Sequence, residues 1–176
     1  MEVTENTLRI RRATAEDAGI LCRWWNDGRL MGDVGFPMGL GTTEAAVSRQ
    51  IEFPDKHHLL ILEVAGIPIG EANYAEENGD SVGIGIKIGC LDMQNKGYGT
   101  LFIRLMVREL FSAKQYDKIV LNTDADNTRA QRVYEKIGFK KNGSYADTWT
   151  DQMGNSRGHI AYELHKDDFD GREQSP

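Results

Sequence analysis

The chain is poor in cysteine, proline and long apolar runs. Its 176 residues include only two cysteines, Cys22 and Cys90, and four prolines. Two cysteines are too few for a disulfide framework, which excludes a cysteine-rich secreted module and fits a reducing cytoplasm. No stretch approaches the roughly 18 apolar residues that a membrane-spanning helix needs. The N-terminus lacks a basic segment followed by an apolar core, so we expect no signal peptide, no membrane partner and a cytoplasmic location.

Positive charge is scarce as well. Lysine and arginine together number 21 against 27 aspartates and glutamates, which gives a formal net charge of −6. Because nucleic-acid binding needs a concentrated positive footprint, the composition predicts no nucleic-acid partner. Acidic clefts concentrate cations, so the charge is compatible with a cationic substrate. A mildly acidic surface that serves only solubility is the other interpretation.

The remaining composition is that of an ordinary globular chain, with 40% hydrophobic and 27% charged residues. The length is that of one domain. We therefore treat residues 1–176 as a single domain with its core at about residues 8–165. Residues 1–6 and the tail from about Asp167 are predicted to be frayed, flexible ends.

Strand and helix patterns alternate between these ends. Residues 8–12 alternate apolar and basic side chains, which is typical of a half-buried strand, and Thr14 with Asp17 forms a capping box before a first helix. The glycine-rich segment 28–41 is predicted to be a long, mobile loop. The other predicted strands are 58–65, 69–76, 81–89, 118–123, 144–150 and 157–165, and the other helices are one capped by Thr43 and ending before Pro54, one over about 99–113, and one capped by Asp126 or Asn127. This order predicts an α+β fold with a single mixed β-sheet flanked by helices.

One glycine-bearing segment, residues 94–100, lies between a predicted core strand and a predicted buried helix. Glycines there let the backbone approach a ligand closely, and the helix start offers free amides and the positive end of a dipole. Such a place suits a phosphate or pyrophosphate, and Lys96 adds a positive charge. The spacing matches neither the P-loop nor the dinucleotide fingerprint. A turn without a ligand is the alternative.

The flanking residues carry a more specific pattern. The segment Gln94-x-x-Gly97-x-Gly99 resembles the acetyl-CoA signature of the GNAT superfamily of N-acyltransferases, and residues 127–139 (NTRAQRVYEKIGF) are similar to that family's second signature. Residues 10–17 and 23–26 are similar to the opening of the branch that contains ribosomal-protein N-terminal acetyltransferases and drug and polyamine acetyltransferases. The resemblance covers about residues 8–165, and it implies the GNAT-like acyl-CoA N-acyltransferase fold.

The resemblance also implies roles for individual residues, with acetyl-CoA as co-substrate. Backbone groups of Lys87, Ile88 and Gly89 would bind the pantetheine arm where two parallel strands part. Asn127 would bond the pantetheine or order its loop, and Tyr134 would be the general acid that protonates the departing thiolate. The pyrophosphate would be held by Gln94 and by the amides of Asn95, Lys96, Gly97, Tyr98, Gly99 and Thr100. Periodicity alone favours a core residue with its hydroxyl at the rim, and the surrounding motif favours the acid.

The general base is not fixed by the resemblance. Glu71 is our candidate, because it lies on the strand beside the one that ends at the cofactor and by alternation shares a face with Ile69 and Asn73. An exposed strand carboxylate is the alternative, and Asp147 and Glu163 are weaker options.

Two other reactive residue types carry no predicted role. Cys90 lacks an activating partner and is expected to be a structural thiol. The histidine pair His57 and His58 has no third ligand at metal-binding spacing, so no metal site is predicted.

Together these patterns predict an enzyme that transfers an acetyl group from acetyl-CoA to a primary amine by direct attack in a ternary complex. The acceptor would be a small cationic amine, an aminoglycoside-like drug or a protein N-terminus, and Asp33, Glu71 and Asp147 would suit a cation. Trp24 and Trp25 can line an acceptor pocket, although the helical periodicity favours a core position for one of the two. A non-catalytic acyl-CoA-binding sensor or scaffold is the alternative. The open edges of such a sheet allow a homodimer.

Overall fold

One mixed sheet runs through the protein, for which a computed structural model describes residues 1–114 and 116–170. Within those residues eight strands pair in the order β1-β2-β3-β4-β5-β6-β8-β7. The strands are β1 (Val3–Glu5), β2 (Leu8–Arg12), β3 (His57–Val64), β4 (Ile67–Glu76), β5 (Ser81–Ile88), β6 (Lys118–Asp124), β7 (Lys140–Thr150) and β8 (Ser156–His165). The helices are α1 (Ala18–Trp25), α2 (Gly28–Met31), α3 (Glu44–Glu52), α4 (Tyr98–Ser112) and α5 (Thr128–Ile137), with 3₁₀ turns at Ala15–Asp17, Gly32–Val34, Leu91–Met93 and Lys166–Asp168.

The sheet is antiparallel throughout except where β5 meets β6. This parallel pair is connected by α4, as a strand–helix–strand crossover requires. The α+β class with a single mixed sheet flanked by helices is therefore confirmed. The part of the predicted tail that falls at residues 171–176 lies outside the described residues.

The two faces of the sheet carry separate helix layers. Successive residues of a strand point to opposite faces, and on β3 Leu60 and Leu62 belong to one core while Ile61 belongs to the other. The larger core packs α4 and α5 on the sheet, with Phe102 fully buried. The smaller core packs α1, α2 and α3 against Ile61. The mostly apolar circumference of α4 is explained by its place in the larger core.

Two predicted irregular regions are regular structure. Residues 1–6 were expected to fray, yet β1 pairs with β2 and Met1 is buried. Segment 28–41 is predicted to be loop throughout, yet Gly28–Met31 is a helical turn and Gly32–Val34 is a 3₁₀ turn. The Asp27 carboxylate caps the helical turn by accepting a bond from Arg29 N at 2.9 Å. The order of β1 comes from its pairing with β2, and that of Gly28–Met31 from the local cap and from the burial of Leu30 and Met31 in the smaller core.

A β-bulge changes which face each residue of β4 occupies. The register between β3 and β4 shifts at Leu62/Glu63, so that Ile69 has no direct partner on β3. Ile69 consequently packs with Ala72 in the larger core, whereas Glu71 points to the opposite face, where it meets Trp25 of α1. The prediction that Glu71 shares a face with Ile69 is therefore wrong, because the extra residue breaks the alternation.

Candidate active site

The two parallel strands diverge soon after they pair. Ser81–Gly83 of β5 is in register with Lys118–Val120 of β6, and the pairing ends there. Beyond this point β5 stays with β4 as far as Ile88, and β6 stays with β8 as far as Asp124. The gap between them opens into a cleft of about 690 Å³. The cleft runs from the start of α4 to the C-terminal hairpin, since both contribute to its walls.

At one end of the cleft, the first turn of α4 faces open space. Gly97 is the N-cap residue in the left-handed region at φ +84°, which a glycine adopts without strain. A Cβ added to Gly97 or to Gly99 would meet no atom within 4 Å. The free amides at the start of a 15-residue helix are therefore accessible from the cleft. Gln94 Nε2 donates to Ile88 O at 2.9 Å and ties this loop to the end of β5.

Most of the predicted cofactor residues lie together here, and two do not. The predicted residues that line the cleft are Lys87, Ile88, Gln94, Asn95, Gly97, Tyr98, Gly99, Thr100 and Asn127. Gly89 is buried beneath Trp24, and a Cβ there would lie 2.3 Å from the indole ring. Lys96 is exposed and is not part of the cleft wall. The glycine at position 89 is thus explained by the close approach of Trp24.

Tyr134 of α5 lines the cleft and is 9% exposed. Its ring packs edge-on against Phe139 and at a tilt against Tyr162, with centroid distances of 6.0 and 5.7 Å. Burial raises the pKa of Tyr134 to about 12, because the phenolate would be poorly solvated. The side chain is therefore a core residue that also lines the cleft, as the core interpretation predicts. Its role as the general acid stays a prediction.

Glu71 of β4 lies at the cleft wall and is 8% exposed. Trp25 Nε1 donates to its Oε2 at 2.7 Å, and Lys87 Nζ, directly across the ladder on β5, lies 3.9 Å from its Oε1. Burial raises the pKa of Glu71, and Lys87 and the Trp25 bond oppose that rise. The interpretation of Glu71 as an exposed strand carboxylate is therefore wrong.

Asp33 is the second predicted carboxylate that the cleft contains. It lies in the 3₁₀ turn after α2, and its Oδ2 accepts a bond from Asn127 Nδ2 at 3.1 Å. Asn127 also caps α5, because its Oδ1 accepts from Ala130 N at 3.1 Å. The loop after α2 is thereby joined to the start of α5 across the cleft.

The weaker candidates lie elsewhere. Asp147 accepts a bond from Ser156 Oγ at 2.6 Å on the outer hairpin, and Glu163 accepts one from Asn142 Nδ2 at 2.8 Å. Neither of these carboxylates lines the cleft, nor does Cys90. Within the described part of the chain, no group of three or more His, Cys, Asp and Glu side chains is placed to hold a metal ion.

The cleft residues that were not singled out from the sequence include Asp124, Trp149 and His159. Asp124 is buried and is held by Arg157 Nη2 at 2.9 Å. His159 Nδ1 shares a hydrogen bond with a neighbouring threonine hydroxyl at 2.9 Å. Asp124 could have been found, because it ends the strand that runs parallel to β5 and such strand ends meet at one sheet edge. Trp149 and His159 line the cleft because the hairpin of β7 and β8 forms part of its wall. The strand patterns of this hairpin were recognised in the sequence, but they do not show which part of the molecule it faces.

Comparison with known proteins assigns this architecture to a family. The model of the acetyltransferase (GNAT) domain matches residues 7–140. The chain belongs to the GNAT acetyltransferase family. Among curated GNAT relatives, an aminoglycoside N(6′)-acetyltransferase type 1 from Klebsiella pneumoniae is 34% identical over 76 residues, which is 43% of this chain and 38% of that protein. A kanamycin resistance protein from Rhizobium radiobacter is 35% identical over 72 residues, 40% of this chain and 67% of that protein.

Solved GNAT structures share the fold along most of the chain. A spermidine N-acetyltransferase from Vibrio cholerae, solved with CoA and spermine, superposes with a TM-score of 0.82 at 18% identity, covering 93% of this chain and 98% of that one. The aminoglycoside acetyltransferase AAC(6′)-Ib, solved with coenzyme A and kanamycin, gives 0.73 at 23% identity, covering 91% and 95%. Among the described residues of this GNAT protein, no helix is both long and apolar enough to cross a membrane.

Proposed function

We propose that the protein transfers the acetyl group of acetyl-CoA to a primary amine of a small polycation, by direct attack in a ternary complex. The observation that carries this proposal is the cleft between the diverging ends of β5 and β6. Helix amides are accessible at one of its ends, and Glu71 and Tyr134 are buried in its walls. Membership of the GNAT family supports the same reaction.

The cleft suits the cofactor in two ways. A diphosphate at the start of α4 would accept hydrogen bonds from free amides at the positive end of the helix dipole, in the space that Gly97 and Gly99 leave open. Beyond Gly83, β5 has no pairing with β6, so its backbone through Lys87 and Ile88 can bond an extended pantetheine arm as a further strand would. Both features are needed for a long, partly anionic ligand.

The reaction needs few catalytic groups, because a thioester is already activated toward attack by an amine. An amine that enters as its ammonium ion gives one proton to the Glu71 carboxylate, whose raised pKa makes it a better base. The neutral nitrogen then attacks the carbonyl carbon and the C–N bond forms. The nitrogen gives a second proton to water, and the C–S bond breaks. Tyr134, which stays protonated at neutral pH, donates to the departing sulfur. The cleft supplies orientation for these groups.

Asp33 is the group that we assign to the acceptor. Its carboxylate lies at the cleft wall and accepts a bond from the neutral amide of Asn127, so it is placed to pair with an incoming cation. In contrast, Asp124 is already neutralised by Arg157. The names of the curated relatives refer to aminoglycosides, and the Vibrio cholerae enzyme was solved with spermine; all of these are polycations.

The test is release of free thiol from acetyl-CoA with spermine, spermidine, kanamycin and an N-terminal peptide as acceptors. We expect release with at least one polycation. Asp33→Asn should raise the KM for that polycation about tenfold, the loss of one charge-assisted contact, with little change for acetyl-CoA. Asp55→Asn, at an exposed position outside the cleft, is the matched control. Binding of acetyl-CoA without release across the panel would favour the sensor or scaffold instead.

A further inference from the structure

Lys87 brings a primary amine into the cleft. Among the residues that the structure describes, it is the lysine that lines this space. It lies near the end of β5, beyond the point where β6 separates, and its side chain is 18% exposed. Lys87 and Glu71 are directly opposite each other on β5 and β4. This pairing places Lys87 Nζ 3.9 Å from Glu71 Oε1. The proposed function gives Lys87 a backbone role and leaves this amine without one.

We propose that Lys87 is itself a site of acetylation, and that the protein modifies this Nζ from acetyl-CoA bound in the cleft when no acceptor is present. The proposal rests on the proposed function, since it needs acetyl-CoA in the cleft and Glu71 as the proton acceptor. The reason is positional. An acceptor amine must approach the Glu71 carboxylate to lose its proton, and Lys87 Nζ is already beside that carboxylate.

The surroundings of Lys87 make its ammonium easier to deprotonate. Burial lowers the pKa of Lys87, because the ammonium is poorly solvated, while Glu71 and Asp33 act in the opposite direction. The other neighbour of Nζ is the sulfur of Met31, a weak acceptor. Lys96, in contrast, is exposed on the loop before α4 and does not line the cleft.

The step balances without any further reactant. The Glu71 carboxylate takes one proton from the Lys87 ammonium, and the neutral Nζ attacks the thioester carbonyl. The C–N bond forms and the C–S bond breaks, with the electron pair leaving on sulfur. The acylated nitrogen loses its second proton to solvent, and the sulfur takes a proton from Tyr134, which solvent restores. Glu71 then releases its own proton to solvent. The products are an Nζ-acetyl amide, coenzyme A as the free thiol, and one proton released to solvent.

Acetylation of Lys87 would inhibit acetyl transfer to other amines. An amide nitrogen carries no charge, so Glu71 would remain in a buried position without its opposite charge and would become protonated. A protonated Glu71 cannot accept a proton from an acceptor amine. The acetyl group would also occupy space in the cleft. Acetyl transfer to added amines is therefore expected to decline with time in acetyl-CoA alone.

The experiment incubates the intact protein with acetyl-CoA and no amine, followed by digestion with a protease that does not cut at lysine and peptide mass spectrometry. We expect Lys87 to gain one acetyl group at least about tenfold faster than Lys96, because the bound thioester is held beside it. Excess coenzyme A, which competes for the same cleft, should suppress modification at Lys87. Lys87→Arg keeps a positive charge and cannot be acetylated, so whatever transfer activity it has should not decline on preincubation.

An unmodified Lys87, a rate no faster than that of Lys96, or insensitivity to coenzyme A would overturn the proposal. Two parallel measurements separate this failure from failure of the proposed function. Calorimetry reports whether acetyl-CoA binds, and thiol release with polycations reports whether transfer occurs. A protein that binds acetyl-CoA and acetylates spermine, yet leaves Lys87 unmodified, would refute only the inference about Lys87.

Discussion

The bond from Trp25 to Glu71 offers a direct way to change the proposed base without touching it. Trp25 Nε1 donates to Glu71 Oε2 at 2.7 Å, and each residue is 8% exposed. The bond stabilises the carboxylate and contributes nothing comparable to the protonated acid. Trp25→Phe removes the donor and keeps an aromatic ring in the smaller core. The pKa of Glu71, already raised by burial, should therefore rise further.

The size of the effect follows from the type of bond. A hydrogen bond to a charged group contributes about 1.5–3 kcal/mol, and each 1.4 kcal/mol is a factor of ten in an equilibrium. Below the pKa of Glu71, only the ionised fraction of the protein is active as a base. On that acid side of the profile, kcat/KM should fall about 10- to 100-fold in Trp25→Phe, and the acid limb should move to higher pH. At alkaline pH, where Glu71 is ionised in both proteins, the difference should diminish.

The assay is the pH dependence of kcat/KM for a saturable polycationic acceptor, followed by thiol release. Trp24→Phe is the matched control, because Trp24 is equally buried on the same helix and packs on Gly89, whereas the indole that donates to Glu71 belongs to Trp25. Both variants should lose some stability, because each replaces an indole with a smaller ring. An acid limb that stays in place in Trp25→Phe, or that moves equally in Trp24→Phe, would refute the role of Glu71.

Three other changes test the cofactor end, the acid and the fold. Tyr134→Phe should lower kcat about 10²- to 10⁴-fold, the contribution of a general acid, with the affinity for acetyl-CoA kept in calorimetry. Gly97→Val should abolish acetyl-CoA binding in calorimetry, because its side chain would enter the space proposed for the diphosphate. Gly79→Val, at another positive-φ glycine in the remote β4–β5 turn, should lower stability and leave acetyl-CoA binding intact. Arg11→Met should lower the free energy of unfolding by about 3 kcal/mol in urea. It leaves the buried Asp17 carboxylate without its arginine and the buried Glu63 carboxylate with only the longer contact to Arg9.

Each of these expectations has a contrary outcome. An unchanged rate in Tyr134→Phe at every pH would remove its acid role. Retained binding in Gly97→Val would count against the placement of the diphosphate at α4. A loss of less than about 1 kcal/mol in Arg11→Met would mean that Asp17 and Glu63 find water or other partners when the guanidinium is gone.

Local sequence patterns predicted most of the fold. Helix α5 is a good example: Asn127 caps it as expected, Gly138 ends it at φ +117°, and Phe139 N closes the turn on Tyr134 O at 3.0 Å. These are contacts within a few residues, so the pattern that encodes them is visible in one short window. The end of β5 and the start of α4 were predicted for the same reason.

The parts that were missed depend on distant partners. The bulge that turns Ile69 away from Glu71 is a property of the β3–β4 pair, and the alternation within β4 alone does not reveal it. The bond from Trp25 to Glu71 joins residues 46 positions apart. Trp149 reaches the cleft because it packs on the backbone of Gly35, where a Cβ would lie 2.2 Å from its ring. Such contacts follow from the topology of the whole sheet.

The central claim is that acetyl-CoA lies between β5 and β6 with its diphosphate at the start of α4. A crystal structure of the protein with coenzyme A tests it most directly. We predict that the diphosphate contacts backbone N–H groups between Asn95 and Gly99, and that the pantetheine arm follows β5 past Lys87 toward Glu71. Coenzyme A bound at another surface, or an empty cleft at saturating ligand, would contradict the claim.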